Sequence, residues 1–363
     1  MHPDDRPSSG PVAPPAAAPA PEPGVAPVYH VWNQAPPRRR FPIMGLLFVL
    51  FVVLPGLLIA LMIVGAVAQL SGDSALHEHY VSGDKQATKK VAIITVDGAI
   101  INGDGYVKQQ IDAIRDDENV QAVVLRVDSP GGSVTASDYL YHHLCKLKEE
   151  KKIPLIVSMG GMAASGGYYI AMAVGNEENS IYAEPTTWTG SIGVIIPHYN
   201  VGGMLKHWEI EEDSIASGPL KETGTITRAM KPEEKKVLEE LVASSFARFQ
   251  AIVKSGRPKL AANPDALAKL TTGQVFTTEQ AIASGLVDKE GFVEEAVERA
   301  AQLAKLSKSE YQVVRFKKPG GFPGLPFAEE ARVPDISAIV DLASPRAYYL
   351  FTLMPVVTAD KDK

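Results

Sequence analysis

The sequence predicts an α/β fold with a largely parallel sheet, preceded by one transmembrane helix. Three observations predict it. From about residue 90, short β-branched runs alternate with segments of helical periodicity, the pattern of strands joined by crossover helices. Turn-rich segments follow two of those strands, at Asp128-Ser129-Pro130-Gly131-Gly132-Ser133 and between Ser158 and Tyr169. Ahead of them, Phe41 to Ala68 runs for more than twenty residues without a charge, enough for the roughly 20 apolar residues that cross a bilayer core.

In chain order, residues 1–40 form a Pro/Ala-rich tail with too few large apolar groups to offset the entropy of ordering, so disorder is expected. The tail ends in Arg38-Arg39-Arg40, and the span is assigned to 41–69. Arg38-Arg39-Arg40-Phe41 loosely matches a twin-arginine signal and Ala66-Val67-Ala68 a cleavage site. The apolar run, however, exceeds the about 7–15 residues of a cleaved signal, so an uncleaved anchor is expected. With the arginines before the span and Asp73 and Glu78 after it, the N-terminus is expected in the cytoplasm and the rest outside. Residues 70–90 read as a polar linker; His77-Glu78-His79 within it is read as linker rather than as a metal pair.

Strands are predicted at Val91–Val96, Val120–Val127 and Ile153–Val157, with shorter ones at Ile181–Tyr182 and Ile192–Ile196. Helices are predicted at Tyr106–Arg115, where Val107, Ile111 and Ile114 share a face, at Thr135–Glu150, Tyr168–Val174 and Met204–Trp208. Ile215 to Gly224 reads as a strand end opening into a loop. A long helix over Pro232–Lys254 has proline at its first position and Glu233 and Glu234 in its first turn. Helices at Thr278–Ser284, with Gly285 as its cap, and Phe292–Leu303 complete a domain assigned to 91–312. The tail 313–363 is rich in Pro and Gly but carries Ala347-Tyr348-Tyr349-Leu350-Phe351, which is expected to pack on the domain or on a neighbouring subunit.

The net charge of -6 argues against non-specific nucleic-acid binding. A single cysteine, Cys145, excludes an intrachain disulfide and a multi-cysteine metal site; in its helical surroundings it reads as buried and structural.

The candidate chemistry centres on Ser165. It lies among small residues after a strand and before a helix, where another backbone can approach closely. A serine hydroxyl needs a base. His198, or His142 or His143 with Asp128 as orienter, would make a triad; Lys221, in a glycine-bounded loop, is the other option, and a lysine serves only where burial brings its pKa from about 10.4 towards neutrality. Backbone amides at Gly131, Gly132 and Gly166 could face a developing oxyanion.

Four blocks carry a resemblance: Leu125 to Ser133, Met162 to Tyr169, Thr189-Gly190-Ser191-Ile192-Gly193-Val194, and Ser217-Gly218-Pro219-Leu220-Lys221. In order and spacing they resemble bacterial signal peptide peptidase A in its short, single-repeat form. The resemblance implies a Clp-protease/crotonase-like fold of repeated ββα units and a membrane-anchored serine endopeptidase with a Ser/Lys dyad. It implies Ser165 as nucleophile, Lys221 as general base, Ser191 as support for the lysine, and Gly131, Gly132 and Gly166 as the oxyanion donors. It further implies no cofactor or metal, peptide substrates such as signal-peptide remnants, and a ring-like homo-oligomer in which Ser165 of one chain meets Lys221 of the next. Membrane lipid would be met through 41–69, in a bacterial cytoplasmic membrane with the catalytic domain outside. The Pro/Ala tail, Gly175 to Asn179 and the Pro219-Leu220 pair depart from the family pattern without removing a dyad residue. The competing readings are an inert membrane-anchored scaffold or chaperone and a crotonase-type acyl-CoA enzyme.

Overall fold

Val91 to Val96 is apolar on both faces, and a strand can afford that only when both faces are covered. In the structure, a computed structural model that describes residues 76–317 and 348–350 together with positions 53, 54, 56 and 57, this run lies inside strand β2 (Lys89–Asp97). Among the described residues β2 belongs to a nine-stranded sheet with β1 (His77–Gly83), β3 (Val120–Ser129), β5 (Leu155–Ala164), β6 (Ile181–Ala183), β7 (Trp188–Gly190), β8 (Val275–Thr277), β9 (Lys289–Glu290) and β10 (Tyr311–Lys317). The main path is β1-β10-β2-β3-β5-β6-β9, parallel from β10 to β9, with β1 antiparallel at the edge. β7 pairs parallel with β5 and antiparallel with β8.

Alternate residues feed two cores. Ala92, Ile94 and Val96 meet Val123, Leu125, Val127, Leu155 and Val157 on one face. Val91 and Ile93 meet Ala122, Val124 and Ile156 on the other. The first face is covered by helices α1 (Tyr106–Asp116), α2 (Val134–Lys151), α3 (Gly166–Ala171) and α5 (Pro232–Gly256). The second is covered by α9 (Val293–Leu303) through Ala296, Val297, Ala300 and Ala301. Helix α2 shows the local logic. Ser133 caps it, accepting the Ala136 N–H at 3.1 Å. Leu140, Leu144 and Leu147 return to one face at helical spacing and are buried, contributing about 2 kcal/mol each. Shorter helices α4 (Gly202–His207), α6 (Pro258–Ala261), α7 (Pro264–Leu270) and α8 (Thr278–Ser284) fill the periphery.

Four expectations change. The segment expected as a linker contains β1, an edge strand whose outward residues are polar and so give no apolar signal; Glu78 on it is paired with Lys90 at 2.7 Å. The boundary placed at residue 312 falls inside β10, which inserts between β1 and β2. Ile192 to Ile196 is not a strand: only Ile195 forms an isolated bridge, and Gly193 interrupts the run. Ile215 ends no strand and is fully exposed.

Contacts divide the chain into Met1–Gly72 and Asp73–Lys363, and the sheet belongs to the second unit. The tail 1–40, nearly all of the expected span 41–69, and residues 318–347 and 351–363 lie outside the described residues. Among the described residues no helix is long and apolar enough to cross a membrane.

Candidate active site

β5 is longer than the Ile153–Val157 run that predicts it, because hydrogen bonds hold an extension that side-chain packing alone would not. Ser158 to Ala164 is mostly small residues. Asp128 Oδ1 accepts the Met162 N–H at 3.0 Å, where the β3–β5 register shifts. The buried Thr187 hydroxyl donates to the Gly160 carbonyl at 2.6 Å, and that of Thr189 to the Ala163 carbonyl at 2.7 Å. The same Asp128 charge, added to burial as the leading cause, raises the pKa of the neighbouring Asp97 carboxyl.

The strand ends at Ser165. Its backbone has φ 54° and ψ -112°, a conformation that costs a residue with a Cβ about 1–3 kcal/mol. The Ser165 N–H donates to the Gly190 carbonyl at 2.8 Å, and its own carbonyl accepts the Tyr169 N–H at 2.8 Å to open α3. Its hydroxyl caps nothing and has no hydrogen-bond partner among the described residues. The side chain is therefore held at a sharp strand-to-helix turn, 1% exposed, with Oγ uncommitted.

Ser191 is placed by register. Ala164 on β5 is paired with Gly190 on the parallel β7, so Ser165 and Ser191 each stand one residue beyond a paired position on neighbouring strands. Ser191 is also buried at positive φ, 49°, anchored by its N–H on the Gln274 carbonyl at 2.7 Å.

The glycines converge on the same point. Strand β4 (Gly131–Ser133) runs past the start of α3; a Cβ on Gly131 would stand 2.6 Å from the Gly166 amide nitrogen, and one on Gly166 would stand 3.1 Å from the Gly132 nitrogen. Gly131 donates its own N–H to Ser129 Oγ at 3.1 Å, while Ile100 brackets the other side of the turn through the Gly131 carbonyl and the Ser133 N–H.

Lys221 makes no hydrogen bond to this cluster among the described residues. It lies in the turn after Gly218, exposed, and its ammonium makes no hydrogen bond or ion pair among the described residues. The loop is tied down next door: Arg228 bridges Glu222 at 3.1 Å and Glu234, at the start of α5, at 2.7 Å. The histidines make no hydrogen bond to the serine among the described residues either. His198 Nε2 is engaged with the Thr225 carbonyl at 3.0 Å. His142 and His143 lie on α2, and burial is the main reason the His143 pKa is pushed down. Asp128, considered as an orienter, instead holds the backbone of β5. That role, and those of Thr187, Thr189 and Ser129, escape sequence reasoning because single hydroxyls and carboxylates in turns carry no periodic signal. Cys145 is partly buried, and burial raises its thiol pKa. Among the described residues no group of three or more His, Cys, Asp or Glu side chains is arranged to hold a metal ion.

A parallel sheet covered on both faces, with a serine at a strand-to-helix turn beside a glycine strand, defines a class: residues 86–191 match the Clp protease family model, and the fold is Clp-protease-like α/β. Residues 147–307 match the model of peptidase family S49. The chain is 38% identical over 226 residues to Protease 4 of Salmonella typhi, covering 60% of this chain and 35% of that protein, so it spans about a third of that relative's length. It is 36% identical over 233 residues to a putative protease of Synechocystis, covering 64% of this chain and 80% of that one. It is 34% identical over 208 residues to a putative signal peptide peptidase SppA of Enterococcus faecium, covering 57% and 58%. The chain belongs to peptidase family S49.

Proposed function

We propose that this chain is a membrane-anchored serine endopeptidase with a Ser165/Lys221 dyad, acting on residual signal peptides and other apolar, unfolded segments at the outer face of a bacterial cytoplasmic membrane. The observation that carries the reading is Ser165: a strained, buried nucleophile position with an uncommitted hydroxyl, directly before the Gly166 amide and beside Gly132. Strain at a buried residue persists only where the surroundings over-determine it, and such positions cluster at sites of chemistry.

In this mechanism the neutral amine of Lys221 takes the proton as Ser165 Oγ attacks the peptide carbonyl carbon. The amides of Gly132 and Gly166, with Gly131 shaping the turn, hold the tetrahedral oxyanion; one such donor is worth about 10²–10³ in rate. The lysine returns its proton to the leaving amine, and water then cleaves the acyl-enzyme by the same steps. Ser191, next to Ser165 by register, holds the amine. Exposure of Lys221 in one chain favours a site completed between neighbours in a ring, where the covering subunit supplies the desolvation that a lysine base requires. Residues 41–69 anchor the chain with its N-terminus in the cytoplasm.

The test is cleavage of a fluorogenic apolar peptide by the full chain in detergent, beside Ser165→Ala and Lys221→Ala. Both substitutions are expected to abolish turnover with assembly intact. Cleavage that persists in Lys221→Ala would remove lysine from the base role, and His198 would be examined next.

A further inference from the structure

The ladder between β3 and β5 breaks just ahead of the nucleophile position. From Val127 to Ser129 β3 advances two residues, while β5 advances four, from Met159 to Ala163, so β5 carries two surplus residues against its neighbour. Across the same stretch β5 changes partner on its other side. Its last pair with β6 is Met159–Ala183, and its first with β7 is Met162–Trp188. Gly160 and Gly161 therefore stand in no ladder pair among the described residues. A bulge without ladder bonds can slide, and a slip of one residue would turn every later side chain of the strand to the opposite face. The turn that presents Ser165 begins where this strand ends.

Three side chains hold the bulge in its observed register, each through a different backbone group. Asp128 Oδ1 accepts the Met162 N–H at 3.0 Å. The Thr187 hydroxyl donates to the Gly160 carbonyl at 2.6 Å, and the Thr189 hydroxyl to the Ala163 carbonyl at 2.7 Å. Both threonines are fully buried, where a hydroxyl or carbonyl left without its partner is costly. Asp128 reaches the bulge from the exposed side of β3. A Cβ on Gly160 would stand 3.0 Å from Asp128 Oδ2 and 3.0 Å from Arg126 Nη2, so glycine at 160 is what lets the strand lie against the carboxylate. Ahead of the bulge, Arg126 donates to Ser158 Oγ at 2.9 Å and pairs with Glu184 at 2.5 Å. The slack is thereby confined to Gly160, Gly161 and Met162.

We propose that Asp128, Thr187 and Thr189 are positioning residues for Ser165: they fix the register of the bulge, and with it the place from which the nucleophile meets a substrate carbonyl. The inference rests on the proposed function for the role of Ser165, but the register can be read without turnover. Full chains in detergent are assayed with the fluorogenic apolar peptide. Asp128→Ala is expected to lower kcat by about 10²-fold, the cost of a reacting group misplaced by about 1 Å, with KM within about twofold of the parent. Asp128→Asn keeps an acceptor for the Met162 N–H and is expected to recover about tenfold of that loss. Thr189→Val keeps the shape and removes the donor; it is expected to lower kcat by about tenfold, and Thr189→Ser to restore it. The measurement without turnover is backbone amide exchange. In Asp128→Ala the Met162 amide is expected to exchange about tenfold faster, while the Val157 amide, bonded to the Ser180 carbonyl in the paired part of β5, keeps its parental rate. Parental kcat in Asp128→Ala overturns the proposal, as does a loss carried wholly by KM. So does Asp128→Asn as inactive as Asp128→Ala, which would assign the effect to the charge and not to the acceptor. Should Thr189→Val fail to fold, the Asp128 variants and the exchange rates decide. A parent that neither cleaves peptide nor is labelled at Ser165 by a fluorophosphonate defeats the peptidase reading, whereas unchanged Met162 exchange in Asp128→Ala defeats the positioning role whatever the activity.

Discussion

At Ser165 the chain concentrates two costs that ordinary core positions avoid, a left-handed φ and a buried side chain whose hydroxyl has no hydrogen-bond partner among the described residues. Its neighbours meet those costs through close backbone approach, and Gly132 is the tightest case. A Cβ there would stand 1.9 Å from the Ile100 carbonyl oxygen, a contact that only backbone displacement relieves. Gly132→Ala is therefore expected to destabilise the domain by about 3 kcal/mol, at the upper end for overpacking, with a matching drop in the midpoint of urea unfolding. An unchanged midpoint would mean that the turn is looser than drawn. The turn itself was legible in the sequence, as a run of small residues between a strand and a helix. Asp128 was legible as a site residue but not in its role; that it holds the Met162 amide follows only from the shifted register of two strands.

Elements with both faces buried announced themselves, and elements at edges did not. The apolar cores of β2, β3 and α2 match their predicted runs within a few residues, whereas β1 pairs through backbone atoms at the sheet edge and leaves little pattern in its side chains. The start of α5 supports a prediction at this scale. Glu234 accepts two bonds from Arg228, at 2.7 and 3.0 Å, and the Lys231 N–H at 2.9 Å. The guanidinium foremost, and then the amide, lower its pKa from 4.5 to about 2. A carboxylate with a lowered folded pKa contributes stability that is present above its unfolded value and is lost as pH falls through the folded one. Acid unfolding between pH 4.5 and about 2 should therefore be shallower in Glu234→Gln than in the parent, with the parent the more stable at pH 7. Identical acid limbs would place the acid-sensitive group elsewhere. Because Arg228 also holds Glu222, next to Lys221, the same clamp steadies the loop that carries the proposed base.

For the whole molecule the decisive fact is that Ser165 is buried in the sheet while Lys221 stands exposed on a peripheral loop. If neighbours complete each other's sites, equal mixtures of Ser165→Ala and Lys221→Ala chains, inactive alone, should recover about a quarter of parental activity, since half the chains supply each intact residue at random. Mixed assemblies that form and remain inactive would place both dyad residues in one chain. The sequence blocks pointed to such sharing only through a family likeness; nothing in spacing alone distinguishes a lysine that folds back from one that reaches across. The position of β10 has a different kind of consequence, one of time. The first strand of the sheet has as its partner the strand that ends at Lys317, so β1 leaves the ribosome long before β10 exists. At roughly 5–20 residues per second, synthesis of the intervening chain takes on the order of 10–50 s. During that interval β2, β3 and β5 can assemble around the future Ser165, but the edge beside β2 stays open. The sheet closes on that side only when the last strand slides between the first two, so a chain halted before residue 311 would carry the nucleophile on a sheet with one side unfinished.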